Sequence, residues 1–192
     1  MHRTTKLASL LCAIALMILA GCPTQTPTEF TIAGTWTGTL SCTSTESLSG
    51  TPQTPRTGAR DLTITFDENG VPTGLPIWGF AGAETQTVEI ARTGETATVT
   101  FTSGNLEITL VVTVTEASYS ASQAHVVLDV QYSATGGSLT QQGTATVTID
   151  ATAAGDVLTV TITADYDVTQ TAGPVTLETG ETIVCTGTLA RQ

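Results

Sequence analysis

From Phe30 almost to the end of the chain, apolar side chains recur at every second position, and no other feature constrains the fold as strongly. Phe30, Ile32, Gly34, Trp36, Gly38, Leu40 and Cys42 share one face of a first run. The alternation returns in Leu62-Ile64-Phe66, Val88-Ile90, Ala97-Val99-Phe101, Leu106-Ile108-Leu110-Val112-Val114 and Val126-Leu128-Val130-Tyr132. It ends with Ala145-Val147-Ile149, Leu158-Val160-Ile162-Ala164-Tyr166-Val168 and Ile183-Cys185-Gly187-Leu189. Side chains alternate across a strand, so this pattern describes antiparallel strands with one buried and one solvated face. The outward partners are mostly threonine, whose branched Cβ suits an exposed pleated face.

Turn signals separate the runs: Asn69-Gly70, Thr93-Gly94-Glu95, Ser103-Gly104-Asn105, Gly136-Gly137, Ala154-Gly155-Asp156 and Thr179-Gly180. Residues 43–60, rich in Ser, Thr, Pro and Gly, read as a long loop, and residues 70–85 as a turn, a short strand and another loop. The order is a meander of about eight to ten strands, several of them long. Such strands favour an antiparallel up-and-down β-barrel or clam, since closure removes edges open to aggregation. A β-sandwich is the competing all-β arrangement.

The chain opens differently. Arg3 and Lys6 precede an apolar stretch, Leu7 to Ala20, of about 14 residues. That is too short to span a bilayer core of ~30 Å, but it suits an export signal. Leu19-Ala20-Gly21-Cys22 resembles the lipobox of bacterial lipoproteins. The resemblance implies cleavage before Cys22, a diacylglycerol on its thiol and anchorage to a membrane, with Pro23 after it favouring the outer membrane. The expected organisation is a signal peptide over 1–21, lipidated Cys22 with a Pro/Thr tether to residue 29, and one all-β domain over 30–192.

Without residues 1–21, the chain keeps four arginines, Arg56, Arg60, Arg92 and Arg191, against 17 acidic residues, a net charge of about −13. Such a surface repels phosphate backbones, which excludes nucleic acid as a partner. Besides Cys22, the exported chain holds only Cys42 and Cys185, an even pair in an oxidising compartment, and a disulfide is expected between them. It would join the first strand to the last.

Gly34-Thr35-Trp36 at the opening of the first strand is similar to the Gly-x-Trp of lipocalins and fatty-acid-binding proteins. The closing run Cys185-Thr186-Gly187-Thr188-Leu189-Ala190-Arg191 is similar to the last strand of that superfamily. The resemblance implies that Trp36 plugs one end of a barrel and that Arg191 packs against it. The helical lid of fatty-acid-binding proteins and the C-terminal helix of lipocalins have no counterpart in the sequence.

Groups that carry chemistry are sparse. His125 is the one histidine of the exported domain and is expected on an exposed strand face. No zinc spacing, nucleophile elbow, phosphate-binding glycine loop or dinucleotide fingerprint is present. Asp165 and Asp167 share a strand face about 6–7 Å apart, turned to solvent among threonines. Asp67-Glu68-Asn69-Gly70 reads as a charged turn. Tyr119, Tyr132 and Tyr166 read as core filling, while Trp78 and Phe80, among glycines and prolines, are candidates for a ligand contact or a barrel rim. These features predict a non-enzymatic, envelope-anchored lipoprotein with no metal or cofactor. Its barrel takes a small apolar ligand or lipid, or its core is filled and it serves as a structural or adhesive module.

Overall fold

Alternation becomes strand throughout the computed structural model, which describes residues 31–76 and 87–192. Among the described residues eleven strands are formed: β1 (Gly34–Leu48), β2 (Thr51–Pro52), β3 (Arg56–Phe66), β4 (Leu75–Pro76), β5 (Thr87–Val88), β6 (Thr96–Ser103), β7 (Leu106–Tyr119), β8 (Gln123–Gly136), β9 (Leu139–Ala154), β10 (Val157–Ala172) and β11 (Val175–Arg191). No helix occurs among the described residues.

Nine strands make one antiparallel sheet. From β6 to β11 it is a plain meander, then β11 pairs with β1, and β1 pairs on its other side with β2 and β3. First strand beside last is the connection of a closed barrel. Among the described residues, however, β3 pairs only with β1 and β6 only with β7, so the curled sheet is a half-barrel open between those two edges. The ribbon of β4 and β5 lies between β3 and β6 in sequence and adds Leu75 and Val88 to the core. A bulge between Val114 and Glu116 in β7 supplies local bending.

The inward sets of the long strands build a single cluster. Ile32, Trp36, Leu40, Leu110, Val112, Leu158, Val160 and Leu189 are all fully buried in it. Burying a large apolar side chain contributes roughly 1.5–3 kcal/mol, so this face carries most of the drive to fold. Within the cluster Cys42 stands opposite Cys185, Cα–Cα 4.0 Å, and their sulfurs are bonded across a sequence separation of 143.

Two sequence expectations are corrected. The segment 43–60 is not a long loop: β1 runs on to Leu48, β2 follows a tight turn at Ser49 and Gly50, and β3 starts at Arg56. These stretches carry polar side chains on both faces, so alternation had nothing to mark, while the backbone ladder continues. Likewise Thr179-Gly180 is not a turn but lies inside β11, paired with Ser47, Leu48, Asp167 and Val168. The reversal occurs at Gly173-Pro174, where Gly173 takes φ 58°. A type II′ hairpin needs this left-handed value at its first loop residue. Gly180 serves packing instead: a Cβ there would sit 2.9 Å from Ser47 Oγ.

Candidate functional site

The strands present two ends and two faces, and each combination has its own chemistry. At the end holding the N-terminus of β1, Trp36 is fully buried and its indole Nε1 donates to the Ile32 carbonyl at 2.6 Å. Arg191 is its cross-strand partner, and the guanidinium carbon lies 4.6 Å from the ring centroid, a cation–π stack. Arg191 Nη2 donates to the Thr31 carbonyl, and its buried Nε lies 4.0 Å from Asp156 Oδ1, an ionic contact longer than a hydrogen bond. The two residues are thus held against each other at this end of the sheet.

Moving along the same inner face, the lining changes at Tyr132 and Tyr166. Beyond them come Ser44 and Glu46 on β1, Glu181 on β11, Gln170 on β10 and Gln141 on β9. Glu46 and Glu181 stand directly opposite each other. Ser44 Oγ donates to Glu181 Oε1 at 2.5 Å, and Arg56 approaches Glu46 at 3.8 Å. Tyr132 donates to Gln141 Oε1 at 2.5 Å, and Gln141 Nε2 donates to Gln170 at 3.1 Å. Burial pushes the Tyr166 phenol well above its ordinary pKa, and the negative charge of Glu181 pushes the same way.

The outer face carries a trough of about 920 Å³. Strand register gives its construction. Val111, Gln131, Thr144, Asp167, Gly180 and Ser47 form one rung across β7, β8, β9, β10, β11 and β1. Thr109, Ser133, Gln142, Thr169 and Glu178 form the next. With strands ~4.8 Å apart, five intervals make a trough about 24 Å long. Two glycines sink its floor. Gly180 puts no side chain into it, and Gly143, on the opposite face, lets the neighbouring strand press close, since a Cβ there would lie 2.4 Å from the Asp167 carbonyl. None of the four arginines lines it. Asp167 lies here and Asp165 in the adjoining concavity of about 380 Å³. Both are exposed on one face, as the sequence implies, and Asp165 accepts from Thr182 at 2.7 Å.

His125 is half-exposed on the outer face, between Asp150 (Nδ1···Oδ1 2.7 Å) and Glu116 (Nε2···Oε2 3.9 Å). Ser118 opposes it across β7 and β8. The ring nitrogens thus face two carboxylates. Among the described residues, no group of three or more His, Cys, Asp or Glu is placed to hold a metal ion. Asp67 is spent on its own turn: Oδ1 accepts from the amides of Asn69 and Val71, and the Val71 bond foremost holds its carboxyl below the ordinary range. Glu95 does the same for the amides of Ala91 and Arg92, its pKa lowered by Ala91 first. Tyr119 donates to the Ala91 carbonyl, and burial raises its pKa to about 12. Trp78, Phe80 and Cys22 lie outside the described residues.

Sequence reasoning therefore reaches the Trp36–Arg191 contact and the solvent-facing placement of Asp165 and Asp167, but misses the trough and the opposed glutamates. Around Gly180 the apolar period is interrupted by Thr179 and Glu181, so hydrophobic alternation offered no signal that the strand continues there. No protein-family model, no curated protein and no solved structure matches the chain.

Proposed function

We propose that the chain is a non-enzymatic lipoprotein domain of the bacterial envelope, held by lipid on Cys22, with a filled core and a working surface on its outer face. The observation that carries this reading is the inner face itself. From the Trp36–Arg191 plug to Tyr166, side chains of every long strand meet in one buried cluster. Space outside the core is found instead in the trough. The lipobox and Pro23 support anchorage at the outer membrane.

A second reading, a barrel that takes a small apolar ligand, draws support from the plug, the feature shared with the lipocalin-like resemblance. At the far end of the inner face the carboxylate of a fatty acid as that ligand would meet Glu181 and Glu46, with Arg56 beside Glu46 as the balancing charge.

Anchorage is tested by expressing the full-length chain in a bacterial host fed an alkyne-tagged palmitate. Label on the chain that disappears in Cys22→Ser, together with release of that variant from the membrane fraction, is the expected result. Label retained by Cys22→Ser, or none on the parent chain, would overturn lipidation there.

A further inference from the structure

We infer that the outer trough is a docking groove for a linear glycan carrying free amines, an assignment that rests on the reading of the outer face as the working surface. Its shape comes first. Two adjacent rungs in continuous register, one across six strands and one across five, make an elongated groove, which suits a polymer better than a compact molecule. Its lining comes second. Gln131, Ser133 and Gln142 each offer both a donor and an acceptor, the pairing that sugar hydroxyls require. At Gly180 the side chains of Ser47 and Asp167 close over the backbone, which brings the Ser47 hydroxyl and the Asp167 carboxylate together on the groove floor.

Charge then selects among glycans. Asp167 and Glu178 are the charged groups of the groove, both exposed, and no arginine reaches it. Phosphorylated, sulfated or uronic-acid polymers would be repelled, whereas ammonium groups would find two acceptors. An extended peptide is disfavoured for a separate reason. Peptides that dock on sheets add to an edge, but this groove crosses interior strands whose backbone groups are already paired. The opposed Glu46 and Glu181 lie on the other face of the sheet and take no part.

The test uses the full-length chain, processed in a bacterial host and purified in mild detergent. It is titrated calorimetrically with oligomers of glucosamine, of N-acetylglucosamine and of galacturonate. Glucosamine oligomers are expected to bind, more tightly with increasing length until the groove is filled, and more weakly as salt rises. Asp167→Asn with Glu178→Gln is expected to lower that affinity about tenfold or more, because charge-assisted hydrogen bonds are lost. The two carboxamide replacements sit on the solvated face, so an unchanged melting temperature separates loss of binding from loss of fold. No binding of glucosamine oligomers would overturn the inference. So would equal binding of the acetylated or anionic oligomers, or affinity indifferent to the paired replacement. If binding fails while the inner face holds no ligand, the glycan assignment falls and the filled-core reading stands. A ligand on the inner face beside intact groove binding gives the reverse.

Discussion

The two ends of this half-barrel are built from the same strands yet follow opposite rules. At the Trp36 end every inward position is apolar or, like Arg191, clamped to an aromatic ring, and the outward positions are mostly threonines and other polar groups, with Val157 and Ala190 among the exceptions. At the far end the strands continue with Glu46, Glu181, Gln141 and Gln170 facing inward. There the sheet persists because backbone hydrogen bonds do not depend on side-chain polarity, and because the packed half holds it in register. The comparison teaches that stability is concentrated in one half of each strand. The other half is free to carry polar surface, and the trough lies there.

The disulfide sits at the boundary, between buried Leu40 and half-exposed Ser44, so its removal should have the largest effect. Replacing Cys42 and Cys185 together by alanine is expected to cost up to about 5 kcal/mol, from the entropy of the long loop it closes. Chemical denaturation reads this out, and a loss under about 1 kcal/mol would mean that the ladder alone fixes the seam. Trp36→Ala follows, at roughly 3–5 kcal/mol, because it leaves a large cavity in a fully buried site. Gly143→Ala is expected to cost about 1–3 kcal/mol, since its Cβ would press on the Asp167 carbonyl rather than on a yielding side chain. An alanine tolerated there would show that the far half bends freely.

Smaller effects sharpen the contrast. Arg191→Ala should destabilise by roughly 1–2 kcal/mol through loss of the stack on Trp36, with little dependence on salt. At the far end, Glu181→Gln should change stability by only a few tenths of a kcal/mol and in the favourable direction, since it relieves the charge facing Glu46. The same replacement should bring the Tyr166 phenol part of the way back toward its ordinary value, visible in a spectrophotometric titration. Burial, the larger cause, would hold it above that value. On the acid side, the Asp67 and Glu95 carboxylates have folded pKa values below their unfolded ones. Their stabilising contribution is therefore complete above the ordinary carboxylate range, about pH 4, and lost as pH falls through the lowered values. Melting curves of Asp67→Asn and Glu95→Gln should accordingly lose part of that pH dependence.

How much of this was legible follows the same division. Where burial forces alternation, as in Leu158-Val160-Ile162-Ala164-Tyr166, the strand, its face and its neighbours could be read directly. The Trp36–Arg191 contact was legible only through the lipocalin-like resemblance, and the pairing of the first strand with the last brings the two together. Residues 43–48 and 56–61 were not, because a strand with two polar faces looks like a loop when only hydrophobic period is read. The trough was hidden more deeply. It depends on which residues share a rung across six strands, a property of register set by turn positions and by the bulge in β7. A half-barrel rather than a closed one was equally invisible, since alternation says which face is buried but not whether two edges meet.

The central claim, a filled inner face with recognition outside, is tested most directly by native mass spectrometry of the full-length chain. The protein would be processed in an envelope-containing host and released from mild detergent in the spectrometer. The account predicts the mass of the polypeptide cut before Cys22, with one disulfide and the acyl groups on Cys22, and nothing further that denaturation removes. An additional discrete mass that is lost on denaturation, and that remains in Asp167→Asn/Glu178→Gln, would place a ligand within the core and contradict it.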